Sequence, residues 1–263
     1  MRRTLPLLII LCLWTSFFCR ESFSEVYGTP ETGLLLLEKK HPYYLYVPPE
    51  YSPDKSWPLV ILLISGLRDQ KEGIEPWVEW ARKNQLLVLL PSVLPREDVV
   101  STDEVDRWIL GIKREILERY HVGSYQILLV GIGSGGHYAA YLGLNYPKEF
   151  SAAALFRQAW VGSFEKLMRP SADREKQVSF YVAVDPKTKS YPAIERKAVE
   201  LEGKGYPVKI DPLGEEEEVL AGRDRMTQWF LEQTENRVAR LKKKRKPGWK
   251  GKFQEILKNL FEM

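Results

Sequence analysis

Apolar residues in this chain fall into short uninterrupted runs separated by amphipathic stretches, the pattern of buried strands alternating with helices. Residues 43–47 read as a strand, ended by Pro48 and Pro49 because proline cannot donate to a ladder. Residues 59–64 are too uniformly apolar for a half-exposed strand, which predicts a central one. Residues 75–84 predict a helix with Trp77, Trp80 and Ala81 on one face, and residues 86–90 a second central strand closed by Pro91. A longer helix is predicted from Ser101, as N-cap, to about Tyr120. Glu104 takes the capping-box position, and Val105, Trp108, Ile109, Ile112 and Ile116 form its buried stripe.

Residues 124–137 are the most distinctive stretch. An apolar run, residues 127–130, leads into four glycines, Gly131, Gly133, Gly135 and Gly136, and then into a helical pattern over residues 138–144. Such a run followed by glycines reads as a buried strand, a sharp turn and a helix. Further strands are predicted at residues 152–156, 178–184 and 208–211, and helices at 193–205 and 219–241. The fold class is α/β, a mainly parallel sheet with helices on both faces. Only some twenty residues separate the strands at Phe156 and Val178, too few for a large lid domain, and neither internal repeats nor a glycine/serine linker divide the body.

The 263 residues suit one domain with extensions. Arg2 and Arg3 precede an apolar run over residues 5–18, shorter than a membrane span, so residues 1–24 are expected to be an export signal cleaved after Ser24. Cys19 leaves open a lipoprotein-type leader, and retention as an anchor is the third reading. Both cysteines, Cys12 and Cys19, lie in the leader, so cleavage leaves no disulfide and no thiolate nucleophile. The expected location is periplasmic, secreted or membrane-anchored. The domain is expected over residues 25–240, followed by a basic tail at 241–263. Residues 237–263 hold ten Lys/Arg against two Glu, an excess above the whole-chain net charge of +4, so the body is acidic. Within the tail Phe253, Ile256, Leu257, Leu260 and Phe261 repeat at helical spacing beside the basic run. That pattern suits an anionic membrane surface or a protein partner, the alternative being a helix folded back on its own domain. Nucleic acid is not expected for an exported chain.

Three stretches in order, Tyr44-Leu45-Tyr46-Val47-Pro48, residues 58–66 and Arg119-Tyr120-His121-Val122, precede the glycine-rich turn. Together they are similar to the esterase and polyhydroxybutyrate-depolymerase-like branch of the α/β-hydrolases, over roughly residues 38–235. The resemblance implies an α/β-hydrolase fold and makes the turn a nucleophile elbow, Gly-x-Ser-x-Gly. Gly131 and Gly135 match its glycines, but Gly133 stands where the serine belongs and the serine, Ser134, comes one residue late. The family's His-Gly after the third strand is here Ser65-Gly66, and the resemblance assigns oxyanion-type amides to Leu67 and Ser134. Asp185, in Ala183-Val184-Asp185-Pro186, matches the triad acid; its plain alternative is a turn cap. Glu217 falls, within one position, where the histidine belongs.

The chain has three histidines, His41, His121 and His137, and none follows Asp185. A serine hydroxyl needs a base within hydrogen-bond reach, and a solvated glutamate is a far weaker one than imidazole. Ser134 with His137 is an alternative site, set against Ser134 as a helix N-cap and His137 as a packed residue. Asp185 and Glu217 in one pocket offer two oxygen ligands, too few to define a metal site. No metal or cofactor is expected. The leading expectation is an exported α/β-hydrolase-fold pseudoenzyme with a degenerate triad at Gly133, Asp185 and Glu217. It would bind a small ester-like or acyl ligand or a partner, or serve as a scaffold. The alternatives are an active carboxylic-ester hydrolase with a non-standard site, and a membrane-surface structural protein acting through its tail.

Overall fold

The computed structural model describes residues 30–37, 42–91, 102–160, 163–173, 177–214 and 218–244. The expected leader at residues 1–24, Ser101, Glu217 and residues 245–263 lie outside the described residues. Among the described residues, eight strands form one sheet: β1 (Gly33–Leu37), β2 (Tyr43–Val47), β3 (Trp57–Ile64), β4 (Leu87–Pro91), β5 (Val122–Ile132), β6 (Ala152–Phe156), β7 (Ser179–Val184) and β8 (Val208–Pro212). Their spatial order is β1-β2-β4-β3-β5-β6-β7-β8. β1 and β2 run antiparallel to their neighbours, and the other six strands are parallel. The helices are α1 (Gln70–Asn84), α2 (Thr102–Arg119), α3 (Gly135–Asn145), α4 (Tyr191–Gly203) and α5 (Glu218–Lys244), with a 3-10 turn at Ser163–Leu167.

Alternation along the central strands sorts the core into two layers. Leu59, Ile61 and Leu63 of β3 and Ile127 and Leu129 of β5 pack with Val105, Ile109, Ile112 and Ile116 of α2, with α3 and with α4. Val60, Leu62, Leu128 and Val130 pack on the opposite face with Ile74, Trp77 and Trp80 of α1 and Met226, Trp229 and Phe230 of α5. Both faces are therefore covered, which is what continuous apolar strands require.

Two departures from the sequence reading have local causes. β1 was not expected. Its Leu34–Leu37 stretch carries no alternation to mark a strand, and it pairs only with β2, as an edge. α1 begins five residues before the predicted start, because the Asp69 carboxylate caps it by accepting the Lys71 amide at 2.8 Å. Pro76 therefore sits inside the helix rather than in its first turn. There Arg223 of α5 donates to the Pro76 carbonyl, and its guanidinium packs 5.5 Å from both the Trp77 and Trp80 rings. α5 runs to Lys244, three residues past the predicted end.

Candidate functional site

In a parallel sheet the loops at the carboxyl edge lie side by side, and that is where ligands of such folds bind. Ile64 pairs with Ile132, Ile132 with Phe156, Phe156 with Ala183 and Val184 with Pro212. The residues that follow β3, β5, β6 and β7, namely Ser65, Gly133, Arg157 and Asp185, therefore line one edge. β6 separates β5 from β7, which sets the Gly133 and Asp185 turns about 10 Å apart. Glu217 follows β8 but lies outside the described residues.

The turn between β5 and α3 is tight enough to dictate its residues. Gly133 has φ of 62°, the left-handed region, and its N–H donates to the Phe156 carbonyl at 3.1 Å. A Cβ on Gly131 would meet the Gly135 carbonyl oxygen at 2.3 Å, and one on Gly136 the Gln158 carbonyl oxygen at 2.0 Å. These contacts bring α3 directly against β5 and β6. At Gly133 itself a Cβ would meet only the Ser65 hydroxyl, at 2.9 Å.

Ser65 is the feature that sequence reasoning missed. Its Oγ donates to the Ile132 carbonyl at 3.2 Å and accepts the Ser134 N–H at 3.1 Å. The hydroxyl thus bridges β3 to the elbow and occupies one of the two amides to which the resemblance assigned an oxyanion role. The signal was present as the exchange of the family's histidine for Ser65, but only coordinates show how far the hydroxyl reaches.

Ser134 stands at the N-cap of α3, yet its backbone is helical (φ −63°, ψ −19°) and its side chain makes no capping bond. The capping role expected of its hydroxyl is therefore absent. The His137 N–H donates to the Ser134 carbonyl at 3.1 Å, a backbone contact, while His137 Nδ1 is buried with no partner among the described residues. The imidazole of His121 lies elsewhere, with Nδ1 2.8 Å from the Pro53 carbonyl oxygen. Asp185 holds its own turn: Oδ1 accepts the Lys187 N–H at 2.8 Å, and its carbonyl accepts the Thr188 hydroxyl at 2.8 Å. Arg157, with φ of 70°, is a second left-handed residue on this edge, and its N–H donates to the Ala183 carbonyl at 2.8 Å. Among the described residues, no group of three or more His, Cys, Asp or Glu is placed to hold a metal ion.

Behind the elbow, α3 is fixed by a buried carboxylate. Asp106 of α2, 1% exposed, accepts hydrogen bonds from the Tyr138 hydroxyl at 2.5 Å, Tyr141 at 2.7 Å and Tyr146 at 2.6 Å. Burial, reinforced by the bond to Asp106, pushes the Tyr138 and Tyr146 hydroxyls well above the ordinary phenol value.

This sheet with its tight strand–turn–helix matches solved α/β-hydrolases. A thermostable esterase superposes with a TM-score of 0.53 at 18% identity, covering 80% of this chain and 62% of that chain. A Rhizomucor miehei esterase gives 0.58 at 13% identity, covering 80% and 86%. An alpha/beta hydrolase enzyme from a Medee basin deep-sea metagenome library gives 0.57 at 14% identity, covering 78% and 100%. The chain has the α/β-hydrolase fold. No protein-family model and no curated protein matches it.

Proposed function

We propose that this chain is a non-catalytic α/β-hydrolase-fold protein, exported, that works as a binding or scaffold module. Gly133, Asp185 and Glu217 are its degenerate triad positions. The supporting observation is the elbow. At the residue where the turn would lift a nucleophile, Gly133 has no side chain, and the following amide is already bonded to the Ser65 hydroxyl. Acyl transfer needs both an attacking oxygen and free donors for the oxyanion. A small ester-like ligand on this edge would have to displace Ser65 from the Ser134 amide, which favours a protein partner or scaffold role over acyl binding.

The esterases among similar structures favour a second reading, an active ester hydrolase that uses Ser65 or Ser134 as a non-standard nucleophile. A short-chain chromogenic ester assay separates the two. The proposal expects turnover at the rate of buffer alone. Turnover above that rate, lost in Ser65→Ala or Ser134→Ala, would establish the hydrolase.

A further inference from the structure

The sheet ends in two edge strands of different character. β8, Val-Lys-Ile-Asp-Pro, is guarded: Lys209 is exposed, Pro212 has no N–H to offer a further strand, and Asp211 is tied to Arg225 of α5 at 2.9 Å. β1, Gly-Leu-Leu-Leu-Leu, carries neither charge nor proline. It pairs with β2, from Gly33 opposite Val47 to Leu37 opposite Tyr43, and among the described residues no strand lies on its other side. In an antiparallel ladder the main-chain groups of alternate residues point away from the partner strand. One row of N–H and C=O groups on β1 therefore faces outward.

The side chains of β1 are left open as well. None of its four leucines is fully buried. Leu34 packs on the layer of α1 and α5, Leu35 and Leu37 pack on the layer of α2, α3 and α4, and Leu36 is 45% exposed. An apolar, uncharged edge of this kind is a template for a further strand. Symmetry decides which strand fits. About a two-fold axis through Leu35, normal to the sheet, an antiparallel copy of β1 puts Leu35 opposite its own copy and Leu34 opposite Leu36 of the second copy. Residues directly opposite share a face of the sheet, so leucine meets leucine on both faces. Leu37 meets Gly33, which has no side chain to crowd it. No charge is brought against its own copy, the penalty that a charged edge would carry in such a pairing. The strand is thus complementary to itself, which favours a second copy over a foreign strand.

We infer that two copies of this chain associate through β1, antiparallel and centred on Leu35, joining their sheets into one. The pairing adds about four to six main-chain hydrogen bonds. Its five residues span only about 17 Å, the small end of protein interfaces, so the dimer depends on concentration. The axis turns the two elbow edges in opposite directions. Within each copy four strand spacings, about 19 Å, separate β1 from β5, so both elbow edges stay open to partners of their own. This goes beyond the binding or scaffold role and does not depend on whether the elbow is catalytic.

Sedimentation velocity of the full chain, in a mild detergent that keeps the apolar run at residues 5–18 from associating, should show a monomer–dimer equilibrium. Leu35→Lys and Leu35→Glu each set like charges face to face and should each weaken the dimer by on the order of 10-fold. An equimolar mixture of the two brings opposite charges together and should restore it. A parent chain that stays monomeric throughout the micromolar range, variants that dimerise as the parent does, or a mixture no more dimeric than its components overturns the inference. A disulfide readout does not depend on the charged variants folding. In a Cys12→Ser, Cys19→Ser background, Leu35→Cys should cross-link two chains on oxidation, because directly opposite Cβ atoms lie about 5 Å apart. Leu36→Cys, whose copy stands two residues off along the strand, and Lys209→Cys on β8 should not. No cross-link at residue 35, or equal cross-linking at all three positions, overturns the pairing.

Discussion

At the scale of single residues the decisive contacts are those that close the elbow. The Ser65 hydroxyl holds the Ser134 amide and lies 2.9 Å from where a Cβ on residue 133 would stand. Gly133→Ser should therefore cost about 1–3 kcal/mol, from an L residue at positive φ and the crowding of Ser65. Urea unfolding measures it, and Ser65→Gly in the same chain should recover part of the loss. An unchanged midpoint for Gly133→Ser would show that the turn is looser than described. A second residue-scale prediction concerns Asp106. Its carboxylate is buried under three phenol hydroxyls, so Asp106→Ala leaves all three without their acceptor and should cost about 3–5 kcal/mol. Tyr146→Phe removes one of two donors to the same oxygen and should cost about 1 kcal/mol in the same measurement.

At the scale of elements, α3 is the helix the glycines permit. Gly136→Ala drives a Cβ into the Gln158 carbonyl and should cost about 1–3 kcal/mol. Gly143→Ala in the same helix meets its neighbours at 3.6 Å, ordinary contact, and should be neutral or stabilise by up to about 1 kcal/mol. Equal effects in thermal unfolding would contradict the packing. How much could be read from the sequence follows the same physics. The central strands and the buried stripe of α2 were legible, because a strand buried on both faces must be continuously apolar and a half-buried helix must repeat. β1 was not, since four consecutive leucines on an edge carry no period. The start of α1 was misplaced because the Asp69 cap that fixes the true start is an ordinary loop residue in sequence. Of the site, the glycines and Gly133 were legible; the reach of Ser65 and the Asp106–tyrosine cluster were not, because each joins residues more than thirty positions apart.

At the scale of the whole molecule, the buried tyrosines set an alkaline limit. Burial first, and then the neighbouring carboxylates Asp106 and Asp211, raise Tyr138, Tyr146 and Tyr181 above their ordinary value of 10.0. Above that pH the native state holds more protons than the unfolded chain, so stability falls as pH rises; below it the contribution is fully present. The unfolding midpoint should fall steadily once pH passes about 10, and a midpoint flat to pH 12 would contradict the burial of these hydroxyls. The fold itself is shared with solved esterases. The central claim is that no serine here is activated for attack, and a serine-directed fluorophosphonate tests it most directly. Intact-mass measurement after prolonged exposure should show no adduct on the full chain. A stoichiometric adduct mapped to Ser65 or Ser134 would mean that a working nucleophile survives.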